Sequence, residues 1–360
     1  MTSSALTYAE RSIATGSRFD LGAGYPIGLA PSWAEMQHVR RLHPHPPERG
    51  ARSALDLEDE GVGVIATFSG SVALQRGFLA ARAHIERSGR RSVVVTTEPC
   101  IDIIPAIARE VVSAGPVRVA CGLLQSFSDD DCDRFCAKIV ENAGDAQGVI
   151  AAITSPENPT GAVWSPAHLR RFSQTCLDTG SVLIVDHCFL LAGVHGPDIV
   201  TPVWRLVNEQ APVIAIWDTG KTVHLGGSKL GFLISRNPEL RAHLENAVSV
   251  IQYDLPLHLG GWIGGVLGDP RFREIVDDLR KATRTNQKLL QEATARLGLP
   301  QLGAHAGAFE LVKTDRPVVI GATVPLTCFE ESSGWGRGWR RIALARAPIA
   351  FEEAITHLLE

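Results

Sequence analysis

Val-Ile-Ala-Ile-Trp-Asp-Thr-Gly-Lys-Thr-Val-His-Leu-Gly-Gly-Ser-Lys-Leu-Gly-Phe-Leu-Ile-Ser, residues 213–235, carries two apolar runs on either side of a polar, Gly-rich turn. Val213–Trp217 is an unbroken apolar run, which predicts a strand covered on both faces. Asp218-Thr219-Gly220 ends it in a polar turn, and the turn delivers Lys221. A Gly-rich segment follows, then a second strand-like run, Phe232–Ile234. A lysine at the mouth of such a strand stands where an open α/β sheet keeps its ligand cleft. Partial desolvation lowers the proton affinity of an ammonium group, so a lysine there can serve as a Schiff-base nucleophile. A merely solvated lysine is the plainer reading, and the choice between them depends on what lies upstream.

Upstream, strands and helices alternate. The patterns predict strands at Val62–Phe68, Ser92–Thr96, Val117–Cys121, Gly148–Ile153 and Val182–Val185. Between them lie helices over residues 51–60, Val72–Ala81, Ile103–Ala114, Asp129–Ala143 and Pro166–Thr179. This alternation predicts an α/β protein, a mostly parallel sheet between two layers of helices. Residues 1–18 read as an arm or short helix, and Phe19-Asp20-Leu21-Gly22-Ala23-Gly24-Tyr25-Pro26 as a strand stopped by a Gly/Pro turn. His43-Pro44-His45-Pro46-Pro47 reads as a non-helical surface loop. Downstream, residues 236–250 start a helix and Asp269–Leu297 forms one or two more. The end of the chain has short strands at Ala308–Val312, Val318–Ile320 and Arg341–Leu344 and a closing helix at Phe351–Leu358. The expected division is an N-terminal arm over 1–50, a large domain over 51–255 and a smaller α+β domain over 256–360.

Composition excludes several classes. With 45% hydrophobic and 21% charged residues, the chain reads as a soluble globular protein. A net charge of −4 gives no field to recruit nucleic acid or an anionic membrane. No apolar run is long enough to span a bilayer, and the first residues carry no secretory pattern. Seven scattered cysteines suggest reduced thiols in the cytoplasm. Cys132 and Cys136 stand one helical turn apart, but no second Cys/His pair accompanies them, so no metal site is expected.

Three pieces line up at strand ends. Ser155-Pro156-Glu157-Asn158-Pro159-Thr160-Gly161 follows one strand, Asp186 closes the next, and Lys221 follows a third. An amide, a carboxylate and a lysine are what a pyridine aldehyde requires: a bond to the ring oxygen, a partner that keeps the ring nitrogen protonated, and an imine-forming amine. Ser69-Gly70-Ser71 precedes a helix, and its free N–H groups suit a phosphate; equally, Ser69 is a simple N-cap.

Asn158-Pro159-Thr160-Gly161, Asp186 and Lys221, with separations of 28 and 35 residues, resemble the signature of the fold-type I, class I/II aminotransferases. The resemblance covers nearly the whole chain and implies that family's fold, a pyridoxal 5′-phosphate (PLP) cofactor, an amino acid and a keto acid as substrates, and a homodimer. It implies that Ser69, Gly70 and Ser71 form the phosphate loop and that Gly24 lies in the substrate loop. Gly307-Ala308-Phe309 resembles a strand of the family's small domain. Arg341-Ile342-Ala343-Leu344-Ala345 resembles another, and by that match Arg341 clamps the substrate α-carboxylate.

The chain departs from the family at four positions. Phe189 replaces a tyrosine that bonds the ring oxygen, and Ile101 an aromatic that stacks on the ring. Lys229 stands for a phosphate-binding arginine, and Asp218 for a serine that touches phosphate. A carboxylate beside a phosphate is repelled, so Asp218 is expected to turn away, toward a cationic substrate; equally, it caps the turn before Lys221. Asp-Thr-Gly-Lys, Phe189 and Lys229 also resemble the PLP- and dioxygen-dependent arginine oxidases and hydroxylases. Gly22-Ala23-Gly24-Tyr25-Pro26 is closer to the ordinary aminotransferases. The expected function is therefore an aminotransferase, with a basic, guanidino amino acid as candidate substrate. An L-arginine oxidase/hydroxylase and a cyclase or lyase of the same fold are the alternatives.

Overall fold

The computed structural model describes residues 21, 25, 29, 33, 46–123, 125–194, 199–223, 227–252, 254–303, 306–315, 323–329 and 334–359. Gly24 and the strand expected at Val318–Ile320 lie outside them.

The larger sheet has seven strands: β1 (Gly63–Thr67), β2 (Arg91–Glu98), β3 (Val117–Ala120), β4 (Gln147–Thr154), β5 (Val182–Asp186), β6 (Val213–Asp218) and β7 (Gly231–Ser235). Their order is β1-β7-β6-β5-β4-β2-β3. The run from β6 to β3 is parallel, and β7 is antiparallel to both β6 and β1. Alternation along each strand builds the layers. Val149, Ala151 and Ile153 of β4, with Leu183, Val185, Ala215 and Trp217, enter one apolar cluster. Ile150, Ala152, Ile184, Ile214 and Ile216 enter another on the opposite face.

Helices cover both faces. On the first lie α4 (Asp129–Asn142) and α5 (Pro166–Asp178), through Phe135, Ile139, Leu169 and Phe172. On the second lie α2 (Gly70–Glu86), α3 (Ile103–Val112) and α6 (Pro238–Ser249), through Leu74, Phe78, Ile104 and Leu244. Each fully buried Val, Ile or Phe contributes about 1.5–3 kcal/mol. The two layers therefore far outweigh any single polar contact at the sheet's edge, and polar substitutions there perturb chemistry before they perturb the fold.

Two expectations need correction. The helix expected over 51–60 is α1, Pro47–Ala54, so Pro47 is helical rather than part of a loop. It stands at the first turn, where a missing N–H costs nothing and the fixed φ suits a helix. The Gly-rich Leu257–Leu267, read as no element from sequence, is helix α7. Glycine weakens a helix by about 1 kcal/mol per residue, but here it permits contact between helices: a Cβ on Gly50 of α1 would stand 2.4 Å from the Gly264 carbonyl oxygen.

The region expected to hold one or two helices holds one, α8 (Phe272–Arg296). A four-stranded antiparallel sheet follows, β10-β11-β9-β8, from β8 (Gln301–Leu302), β9 (Phe309–Lys313), β10 (Val324–Pro325) and β11 (Trp339–Ala343). Helix α9 (Pro348–Leu359) closes the chain. Ile342 of β11 packs with Leu290 of α8 and with Phe351 and Ile355 of α9. Ala343, one position on, joins the cluster under the larger sheet. Arg341 shares the parity of Ala343, so β11 turns it toward that sheet. Among the described residues no helix is long and apolar enough to cross a membrane.

Candidate active site

Register assembles the site. Thr154 at the end of β4 pairs with Asp186 at the end of β5, and Asp186 pairs with Ile216 near the end of β6. Asp218 pairs with Gly231, which pairs on its other side with Thr67 at the end of β1. One edge of the sheet thus presents, strand by strand, the Asn158 loop, Asp186, the Lys221 turn and the Ser69-Gly70-Ser71 loop.

Asp186 is buried, and its Oδ1 accepts from the Cys188 N–H at 2.8 Å. Burial raises its carboxyl above the ordinary value, although the Cys188 bonds and the Lys221 charge pull the other way. Lys221 ends a single 3₁₀ turn, Thr219–Lys221. Its Nζ lies 3.8 Å from the centre of the Tyr25 ring and 5.6 Å from that of Phe189, both in cation–π range. Phe189 packs edge-on against Phe309, and Ile101, half-buried after β2, packs against the same apolar cluster as Phe189.

Arg341 is buried, and its Nη1 donates to Asn158 Oδ1 at 2.6 Å. Its guanidinium lies over Phe309 and Phe329, at 4.4 and 5.0 Å from the ring centres. The neighbouring Arg340 points the other way and donates to Thr323 Oγ1 and O. Strand alternation, invisible in the Arg-Arg doublet, therefore assigns one arginine to the site and one to the structure.

Sequence reasoning overlooked two groups. Lys229 Nζ donates to Tyr25 Oη at 2.6 Å. Burial alone would raise the Tyr25 phenol, but the charges of Lys221 and Lys229 outweigh it and hold the phenol below its ordinary value. Glu157, next to Asn158, is buried and accepts from Thr160 Oγ1, Thr160 N and Thr154 Oγ1 at 2.9, 3.2 and 3.3 Å. Burial pushes its carboxyl from an ordinary 4.5 up to about 7, against those donors and the Arg341 charge. A raised acid binds its proton more tightly folded than unfolded. Its contribution to stability is present below pH 4.5 and is lost as the pH climbs through 7. Glu157→Gln keeps an acceptor and never ionises. From pH 5 to 8 the wild type is expected to lose about 2.5 kcal/mol relative to this variant. Parallel urea-unfolding midpoints at the two pH values would refute the point.

Asp218 requires a correction. It does not turn away from the phosphate loop. Its Oδ2 accepts from the Gly70 N–H at 2.8 Å and its Oδ1 from the Gly220 N–H at 2.6 Å, and the side chain is only 4% exposed. It caps the turn before Lys221, as the plainer reading had it, and also the start of α2. Like-charge repulsion was the ground for the contrary expectation; the two backbone N–H groups at hydrogen-bond distance attract the carboxylate toward the loop instead. Ser69 is the N-cap of α2 and accepts from Val72 N at 3.2 Å. Among the described residues no group of three or more His, Cys, Asp or Glu side chains gathers to hold a metal.

The family model for class I and II aminotransferases matches residues 76–345, a span that includes Asn158, Asp186, Lys221 and Arg341. The chain belongs to that family; it is a transaminase-type enzyme whose cofactor is PLP. Among solved structures it is similar to Bna3p of Saccharomyces cerevisiae, with 17% identity, 98% of this chain and 94% of that one covered, and a TM-score of 0.79. It is similar to the N-succinyldiaminopimelate aminotransferase of Mycobacterium tuberculosis at 20% identity, coverages of 98% and 96%, and a TM-score of 0.78. It is also similar to the aspartate aminotransferase of Thermus thermophilus at 18% identity, coverages of 99% and 96%, and a TM-score of 0.76. At these identities the likeness establishes the fold. No curated protein sequence matches the chain.

The residues fit the cofactor's ring: a buried carboxylate at 186, an amide at 158, a lysine at 221 and apolar side chains at 189 and 101. The phosphate end also offers the start of a 17-residue helix, but there the Gly70 N–H is already engaged by Asp218.

Proposed function

We propose that the chain transfers the amino group between an L-α-amino acid and a 2-keto acid at the edge where β4, β5 and β6 end. The observation that carries this reading is the convergence of Lys221, Asp186 and the Asn158–Arg341 pair on that edge. Arg341, steadied by Asn158 and by the rings of Phe309 and Phe329, binds the substrate α-carboxylate. Lys221 Nζ removes the proton from Cα and returns it on the far side of the transfer. Asp186 keeps the ring nitrogen protonated, and Phe189 and Ile101 exclude water from the ring. When bound, PLP supplies the electron-withdrawing ring that takes up the charge left at Cα. Tyr25 covers Lys221, and Lys229 anchors that phenol.

For the donor we favour a cationic, guanidino amino acid only on the resemblance of Asp218, Phe189 and Lys229 to the arginine oxidases and hydroxylases, because Asp218 itself is committed to the Gly70 and Gly220 N–H groups. The test is a panel of L-amino acids added under nitrogen and in air, with the cofactor spectrum followed. A response confined to basic amino acids supports that class, and an equal response to neutral ones removes it. Ping-pong kinetics with a keto acid supports the transaminase; oxygen uptake and peroxide release with arginine alone would replace it by the oxidase. Arg341→Lys keeps the charge but loses the planar two-donor fork. It is expected to raise KM for every amino acid by about tenfold to a hundredfold, the loss of one charge-assisted bond. An unchanged KM would exclude Arg341 as the carboxylate site.

A homodimer is part of the proposal. Val250 and Ile251, just past α6, and Leu257, the first residue of α7, are 75, 63 and 69% exposed and suit a covered face. Sedimentation at a single-chain mass would remove it. Free thiols at all seven cysteines support a reducing compartment, the cytoplasm.

A further inference from the structure

The start of α2 is the natural anion seat of this site. It carries the positive end of a 17-residue helix and the unpaired N–H groups of its first turn. In this chain three of those groups already have partners. Val72 N donates to Ser69 Oγ, Ala73 N to Ser69 O, and Gly70 N to the Asp218 carboxylate 148 residues away. Nothing stands between that carboxylate and the loop: a Cβ on Gly70 would come within 2.6 Å of Asp218 Oδ2. The loop is closed from the other side as well, because a Cβ on Gly231 would lie 2.2 Å from the Ser69 carbonyl oxygen. The two nearby cations are directed elsewhere. Lys229 donates to Tyr25, and Lys221 sits over the same ring.

We propose that Asp218 sets the affinity of the site for the phosphate of its cofactor: the carboxylate holds the Gly70 N–H of α2 and has to give it up before a phosphate can be seated there. The inference rests on the PLP assignment. Asp218 thus acts as a built-in competitor for one anion position. Like charge adds to the effect, because a carboxylate left close to a bound phosphate repels it. A cofactor form without the phosphate meets neither penalty. The native protein therefore discriminates less between PLP and pyridoxal than its helix terminus would otherwise allow.

The experiment compares wild type, Asp218→Ser and Asp218→Asn, titrated with PLP and separately with pyridoxal. Binding is read from the visible absorption band that depends on Lys221, with Lys221→Ala as the blank. Both Asp218 variants are expected to bind PLP at least about tenfold more tightly than wild type, the yield of one charge-assisted hydrogen bond regained by the phosphate. Pyridoxal affinity should change by less than about threefold, since that compound has no phosphate to gain the bond. A second reading comes from thermal unfolding. Without cofactor, Asp218→Ser should melt below wild type, having lost two buried bonds, yet gain more in melting temperature when PLP is added. Asp218→Asn, which is isosteric and keeps an acceptor for Gly220, guards against a variant that merely folds badly. The proposal is overturned if both variants bind PLP no more tightly than wild type, or if the two ligands change by the same factor. A Lys221-dependent band in every protein with an unchanged ligand ratio rejects only the role of Asp218. No such band in any of them rejects the cofactor assignment, and this inference with it.

Discussion

Lys221→Ala is expected to lose at least about 10⁴-fold in turnover, the upper end of what a positioned general base contributes. Two roles disappear with one amine. On the proposed reading the Nζ attaches the cofactor and, once freed, moves the Cα proton. Neither role has a stand-in. Lys229, the other nearby lysine, is bonded to Tyr25, and its ammonium is held above the ordinary value because the phenol and the nearby carboxylate outweigh the opposing effect of burial. A lysine so held is a poor base. The fold should not notice the change. Lys221 lies at the end of a single 3₁₀ turn at the sheet's edge, outside the apolar clusters that carry most of the stability. The check is turnover alongside the melting temperature and the visible spectrum with PLP. An unaltered melting temperature, no lysine-dependent band and no turnover are expected. Retention of more than about one part in a hundred of the activity would mean that another base does the work.

Asp186→Asn should lower turnover by about 10³-fold, close to 4 kcal/mol of lost stabilisation. The asparagine keeps an oxygen for the Cys188 N–H, so the loop after β5 stays in place. On the proposed reading, what is lost is the negative charge that favours a protonated ring nitrogen, and with it the electron demand on Cα. The same substitution should raise the stability of the cofactor-free protein, which separates a chemical defect from a folding one. Burial raises the Asp186 carboxyl, so the folded state is penalised once that group ionises. The group's contribution to stability is therefore present at low pH and is lost as the pH rises through its folded value. An amide at this position carries no such penalty, and the advantage of Asp186→Asn should appear at pH 8 and shrink at pH 4. Unfolding curves at both pH values, paired with turnover, test the two claims together. A variant that is both inactive and less stable at pH 8 would mean that Asp186 is structural.

Local chemistry made much of this legible. Runs such as Val213–Trp217 and Val182–Val185 are apolar at every position, which only a strand covered on both faces accommodates. Parallel strands of that kind end together. Asn158, Asp186 and Lys221, each just past such a run, therefore had to meet at one edge. Other features had local signals that pointed the wrong way. Four glycines hid α7, because intrinsic propensity weighs against a helix while the close contact with α1 requires small residues. Pro47 suggested a loop and instead opens α1.

The layers and the strand ends were readable from local composition, since burial of an apolar run is decided within the run. The direction in which each polar side chain points depends on packing, because its partner is remote in the chain. Asp218 and Gly70 stand 148 residues apart, Asn158 and Arg341 183, Tyr25 and Lys229 204. A buried carboxylate takes whatever donor the packed sheet brings to it. At position 218 the antiparallel β7, with glycine at its first residue, draws the start of α2 against the end of β6 and supplies a backbone N–H.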